Sequence, residues 1–171
     1  MTEPLKPVRR AMPEASLYRD AMARVASAVH VVTTIGPQGR IGLTATAVAS
    51  VSDTPPTVLV SVARPSRTLA VIEASGVFCV NTLPGDAEEL AEIFASRRKV
   101  DGEARFASRG WGSLVTGSPV LLDAVAAFDC RLTAVHDIAT HRLLIGEVVG
   151  LGGSGREVKS LIYRHRRFEA I

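Results

Sequence analysis

The sequence predicts a mainly β protein, a closed or nearly closed antiparallel barrel carrying a few short helices. Three observations predict it. Runs of β-branched and small apolar residues recur along the chain and are cut by glycine and proline turns. Helical periodicity appears only in short stretches. Aromatic residues make up only 5 %, while alanine and valine dominate, which suits closely spaced strands.

The chain has 171 residues, enough for one sizeable core and too few for two comfortable domains. We expect residues 1–15, rich in proline and basic side chains, to form a flexible arm, and residues 16–171 to form one domain. Residues 16–27 read as a helix, with Leu17, Ala21, Met22 and Val25 on one face. Residues 30–34 are β-branched and strand-like, and the two glycines at 36 and 39 mark a turn. Residues 41–52 alternate small apolar and hydroxyl side chains, the pattern of one strand with a tightly packed face. Pro55 and Pro56 stop it, because proline cannot donate to a ladder.

Another strand spans 57–63. Ser66 is the expected N-cap of a short helix bearing Leu69, Val71 and Ile72, with Gly76 placed to end it. A strand returns at 77–83. Asp86 and Glu89 have capping-box spacing ahead of a stripe of Leu90, Ile93 and Phe94. Residues 97–117 read as loop, and strands follow at 124–135, 141–151 and 161–168.

Formal net charge is +3, with basic clusters at 97–99 and 164–167. Either cluster could meet a phosphate or simply face solvent. No aromatic ladder or zinc spacing accompanies them, so nucleic-acid binding is not expected. The two cysteines, Cys79 and Cys130, sit in apolar runs and read as unpaired core thiols. With no secretory segment and no run of about 20 apolar residues, a cytoplasmic location is expected and membrane association is not. The familiar dinucleotide, Walker, nucleophile-elbow and Cys-x-x-Cys signatures are missing, and the four histidines lack metal-site spacing, so no metal is expected.

Two stretches carry chemistry. The run from Gly42 to Ser52 is made of small residues that let a flat ligand approach the backbone, although it also fits a strand packed against a neighbour. Arg64-Pro65-Ser66-Arg67-Thr68 opens a helix with free N–H groups, two hydroxyls and guanidinium groups, the ingredients of an anion site or of an ordinary capped helix.

The order of these and later pieces resembles the flavin reductase family with the split β-barrel FMN-binding fold. The pieces are Thr44-Ala45-Thr46-Ala47, Ser50 to Pro56, Ser66-Arg67-Thr68 and Phe78-Cys79-Val80-Asn81. Arg105-Phe106, the run 117–121, Ala127 to Cys130, Thr140-His141, the run 145–148 and Tyr163 with Arg166 to Phe168 continue the order. Similar members include the reductase component of para-hydroxyphenylacetate monooxygenase, a relative in pyrimidine breakdown, and the corrinoid reductase of cobalamin synthesis.

That resemblance implies an NAD(P)H-dependent reductase that transfers a hydride to FMN or FAD, with NADH or NADPH as co-substrate. Thr44, Ala45, Thr46, Ala47 and Val48 would lie along the isoalloxazine ring, bordered by Ser61 and Val62. Ser66 and Thr68 would hold the phosphate. Asn81 and Arg97 would lie near the ribityl tail or the adenylate. His141 would stand near the nicotinamide as the catalytic residue, and Tyr163, Arg167 and Phe168 would close the pocket. Many members have Gly-Asp before that histidine, whereas this chain has Ala139-Thr140. The resemblance also implies a homodimer and a partner, such as a two-component monooxygenase, that accepts reduced flavin. The alternatives are a flavin-dependent corrinoid reductase and a non-catalytic flavin-binding protein.

Overall fold

The computed structural model describes residues 12–171. The expected arm therefore lies mostly outside the described residues, and 12–14 are exposed coil. Helix α1 (Ala15–Met22) is shorter than the expected 16–27 and buries none of its side chains.

The strands are β1 (Ser27–Ala28), β2 (His30–Gly36), β3 (Gly39–Ala45), β4 (Val48–Asp53), β5 (Pro56–Ala63), β6 (Val77–Thr82), β7 (Trp111–Ser113), β8 (Pro119–Leu121), β9 (Ala126–Ile138), β10 (His141–Gly152), β11 (Leu161–Arg164) and β12 (Arg167–Ala170). Helices α2 (Arg67–Ser75) and α3 (Glu88–Phe94) flank them, with a 3-10 turn at Gly102–Phe106. A seven-stranded antiparallel sheet has the order β3-β2-β6-β9-β10-β5-β4. Its two outer strands, β3 and β4, are consecutive in the chain. The sheet is thus curled so that Thr46 and Ala47 carry the chain from one edge to the other, and Ser61 N–H donates to Ala47 O at 2.9 Å. Here the single strand expected over 41–52 is corrected to two, because the chain must bend to change edges.

Alternation divides the core into two clusters. Val32, Phe78 and Val80 face Val60, Leu69, Ile72 and Leu144. Val31 and Cys79 face the other way, toward Leu83, Leu90, Phe94, Phe106 and Leu121. Strands β2 and β6 are buried on both faces, which is why their sequences lack the apolar–polar alternation of a half-exposed strand. Gly146 permits a close approach: a Cβ there would collide with the Phe78 ring.

Helix α2 forms as its sequence predicts. Ser66 Oγ accepts from Leu69 N–H at 3.3 Å, and Gly76 takes the left-handed conformation with φ 71°. The capping box at Asp86 does not form; Ala87 is the N-cap of α3, and Asp86 instead faces Arg109 at 3.2 Å. The final expected strand is a hairpin of β11 and β12, turned at His165 and Arg166 with φ 50° and 61°.

Candidate active site

Where the two sheet edges meet, the chain leaves a cleft of about 400 Å³. Its base is Leu43, Thr44, Ala45, Thr46 and Ala47. Thr46 and Ala47 belong to neither ladder, so strand pairing does not consume their N–H groups. One wall is the end of β5 (Ser61, Val62 and Ala63), continued by Ser66 at the start of α2. Opposite stand Phe94, Ala95 and Ser96. Thr44 Oγ1 donates to Ala91 O at 2.7 Å, which pins β3 to α3 and sets the width of the cleft.

His141 completes the lining because β10 pairs with β5 in a register that sets it opposite Ala63. Its Nδ1 lies 2.9 Å from Thr140 Oγ1. That contact fixes the ring and leaves Nε2 for a ligand. Next to it, Arg142 forms a clamp, donating Nε–H to Asp137 Oδ1 at 2.8 Å and an NH1 hydrogen to Glu73 Oε1 of α2 at 2.5 Å. Arg64 adds an ion pair to Asp137 at 3.4 Å, and its N–H donates to Thr140 O at 3.1 Å. The Arg142 hydrogen bond is the main cause holding the Asp137 carboxyl below its ordinary pKa. The clamp ties the His141 turn to the helix that opens at Ser66.

Of the residues singled out in the sequence, Thr44, Ala45, Thr46, Ala47, Ser61, Val62, Ser66 and His141 converge on this cleft. Others do not. Thr68, expected at the phosphate, is buried, and its hydroxyl donates to Gly42 O at 3.1 Å. Asn81, expected near the ribityl tail or the adenylate, also lies outside the cleft lining. It is fully buried; its Nδ2 donates to Val31 O and Thr33 Oγ1, both at 3.1 Å, and its Oδ1 accepts from Leu121 N–H at 2.8 Å. No atom of Asn81 is left for a ligand. Val48 packs against the inner core cluster.

Arg97, Tyr163 and Phe168 gather elsewhere, outside the residues lining the cleft. The Arg97 guanidinium lies 5.6 Å from the Tyr163 ring centroid and 5.9 Å from that of Phe168. Arg167 is exposed and pairs with Glu169 at 3.3 Å. Sequence reasoning missed Ala63, Phe94, Ala95 and Ser96 as lining residues, and included Leu43 only within the run from Gly42 to Ser52. Phe94 was legible only as a member of a buried stripe, and nothing in the local sequence marks Ser96, whose φ is 58°. Among the described residues, no group of three or more His, Cys, Asp or Glu side chains is arranged to hold a metal ion.

A family model described as a flavin reductase like domain matches residues 22–171. The chain belongs to that family. Among flavin reductase relatives, an FMN reductase (NADH) RutF 2 of Methylorubrum extorquens (strain PA1) is 51 % identical over 158 residues, covering 92 % of this chain and 90 % of its own. An FMN reductase (NADH) RutF of Ancylobacter novellus is 49 % identical over 155 residues, covering 90 % and 83 %. Solved flavin reductases have the same fold. PheA2 superposes with a TM-score of 0.84 at 30 % identity, over 93 % of this chain and 99 % of its own. The styrene monooxygenase flavin reductase of Pseudomonas putida S12 has a TM-score of 0.80 at 25 % identity, over 90 % and 96 %.

Proposed function

We propose that this protein is an NADH-dependent FMN reductase whose site is the cleft at Thr46 and Ala47. The observation that carries the reading is the meeting there of an unpaired stretch of small residues, the N-terminus of α2 and His141. These residues fit a flavin phosphate. The volume lies in the range of small-ligand sites, roughly 300–1,000 Å³. Ala45 and Ala47 present no bulk to a planar ring, and the first turn of α2 has N–H groups without intrahelical acceptors for an anionic tail.

When bound, the flavin supplies the redox chemistry by accepting a hydride from the nicotinamide. The chain's own residues bind, orient and polarise. With flavin bound, the N–H groups at Thr46 and Ala47 would be available to donate to it and would stabilise negative charge without an acid or base. Ser66 positions the helix terminus through its cap. With Nδ1 engaged by Thr140, His141 offers Nε2 as the hydrogen-bonding atom at the rim. The Arg142 clamp holds that rim at a fixed distance from α2.

The reading extends to the assembly. Helix α1 buries nothing, and Leu17, Tyr18 and Met22 on it, with Val51, Ile138 and Leu151 on the strands, are large exposed apolar side chains. Such surface favours a second copy, and a homodimer is expected. Reduced flavin held by small polar groups is released readily, which suits delivery to a monooxygenase-type partner. Cys79 and Cys130 are free and buried, and burial raises both thiol pKa values, that of Cys130 to about 12. Inert free thiols suit a reducing cytoplasm. Among the described residues no helix is long and apolar enough to cross a membrane.

The decisive experiment is rapid-mixing reduction of FMN by NADH with the purified protein, followed at the flavin absorbance band. Catalysed bleaching is expected. Rates equal to the protein-free control with FMN, FAD and riboflavin would leave a flavin-binding protein without turnover.

A further inference from the structure

The wall of the cleft opposite β5 is made by Phe94, Ala95 and Ser96 at the end of α3, and it is braced by a segment that does not line the cleft. That segment is the 3-10 turn at Gly102–Phe106. Two neighbouring residues of the turn reach two residues of the wall. Phe106 is buried and packs edge-on against Phe94, with ring centroids 5.0 Å apart and planes at 80°. Arg105 donates an NH2 hydrogen to Ser96 Oγ at 2.9 Å. Glu103 anchors the same turn to β3 through an ion pair with Arg40.

The Arg105 side chain keeps only 14 % of its accessible surface. A guanidinium so placed must spend its donors inside the protein, and it gives Nε–H to Val100 O at 2.9 Å as well as the hydrogen to Ser96. Its ion-pair partner, Asp101, lies 3.8 Å away and is itself exposed. Ser96 in turn has φ 58°, a left-handed conformation that a serine keeps only where its surroundings hold it. Its N–H donates to Ile93 O at 3.1 Å, and the next N–H, of Arg97, donates to Glu92 O at 3.0 Å. Main-chain bonds thus fix the Ser96 backbone, and Arg105 fixes its hydroxyl.

Because Ser96 Oγ accepts from a guanidinium, its own O–H is left to donate elsewhere, and among the described residues it has no acceptor. A hydroxyl that accepts from a cation is also a stronger donor. Ser96 lines the cleft. We propose that the Ser96 hydroxyl donates to an acceptor oxygen of the bound flavin, and that Arg105 is the positioning residue that directs it. The inference rests on the reading that flavin occupies this cleft. It adds a donor on the wall opposite β5, which neither the stretch at Thr46 and Ala47 nor the start of α2 supplies.

The test is a double-mutant cycle on FMN affinity, read by flavin fluorescence quenching with the full-length protein. Ser96→Ala should weaken FMN about threefold to tenfold, the scale of one hydrogen bond, and Arg105→Met by a similar factor. Combined, the two should weaken FMN no more than the larger single loss, because both remove the same contact. Glu103→Gln is the control. It loosens the turn from Arg40 without touching Ser96, and FMN affinity should stay within about twofold even if Tm falls. Riboflavin, which lacks the phosphate, locates the acceptor: a loss with FMN alone assigns the contact to the phosphate, and equal losses assign it to the ring or ribityl oxygens.

Unchanged FMN affinity in Ser96→Ala overturns the inference. So do losses that multiply in the double variant, or a loss in Glu103→Gln as large as that in Arg105→Met. Should Arg105→Met fail to fold, Arg105→Lys closes the cycle and the same non-additivity is required. In all these cases the reading of the cleft stands as long as Thr46→Leu weakens FMN. A wild-type protein that does not bind FMN, or one whose affinity Thr46→Leu leaves unchanged, overturns the reading of the cleft and this inference with it.

Discussion

Asn81→Ala separates a structural amide from a ligand-binding one. The wild-type side chain joins three elements: it donates to Val31 O on β2 and to Thr33 Oγ1, and it accepts from Leu121 N–H on β8. A longer contact to Pro119 O, at 3.4 Å, adds to the same tie. All of this is sealed from water, since Asn81 and Leu121 have no exposed surface. Alanine would strand a buried N–H and a buried carbonyl, each costing about 1–3 kcal/mol, and would leave a small void as well. The expected loss is about 3–5 kcal/mol, a fall in Tm on the order of 10 °C for a chain of this size. Urea unfolding monitored by Trp111 fluorescence measures it. FMN affinity of the folded fraction should stay within about twofold, since the side chain is absent from the cleft. A loss of less than 1 kcal/mol together with a collapse in FMN affinity would refute this reasoning and return Asn81 to the ligand.

Three further perturbations test other parts of the account. Thr46→Leu places a branched side chain where the ring is to lie; FMN affinity should fall about tenfold or more with Tm nearly unchanged, read by flavin fluorescence quenching and calorimetry. Arg142→Ala opens the clamp between the His141 turn and α2; kcat should fall more than FMN affinity, and Arg142→Lys should recover part of it, whereas equal losses would indicate a general structural role. His30 is buried beside Thr82 Oγ1 at 3.1 Å, and burial lowers its pKa from 6.5 to about 4. Between those values the unfolded chain takes up a proton that the folded chain refuses. Stability should therefore decline as pH falls from about 6.5 toward 4, by up to about 3 kcal/mol, with no contribution from this group above that window. Denaturant midpoints across pH 7 to 5 should show the slope, and His30→Gln should flatten it.

Strands β2, β5, β6, β9 and β10 were legible because continuous β-branched runs and alternation report burial directly, and Val31 and Val32 show the two-sided case. Helix α2 was legible because Ser66 and Gly76 are local signals with local causes. The break at Thr46 and Ala47 was not, since small alternating residues are compatible with either a straight strand or a bend. The β11–β12 turn was hidden for a related reason. His165 and Arg166 adopt positive φ, a conformation their side chains do not advertise, and His165 N–H is held there by Ala23 O at 2.5 Å. The capping-box spacing at Asp86 misled because Arg109, far along the chain, competes for that carboxylate.

By itself the sequence determined that this is a mainly β chain, with a capped helix beginning at Ser66 and a stretch of small residues at 44–47. Those properties follow from neighbours a few positions apart, where side-chain period and capping chemistry act. Only the tertiary structure decided that Asn81 and Thr68 spend their polar atoms inside the protein, that His141 meets Ala63 across a ladder, and that Arg105 reaches Ser96 at the cleft. A side chain's availability depends on which distant partner reaches it first, and strand register and the closure of the sheet settle that competition.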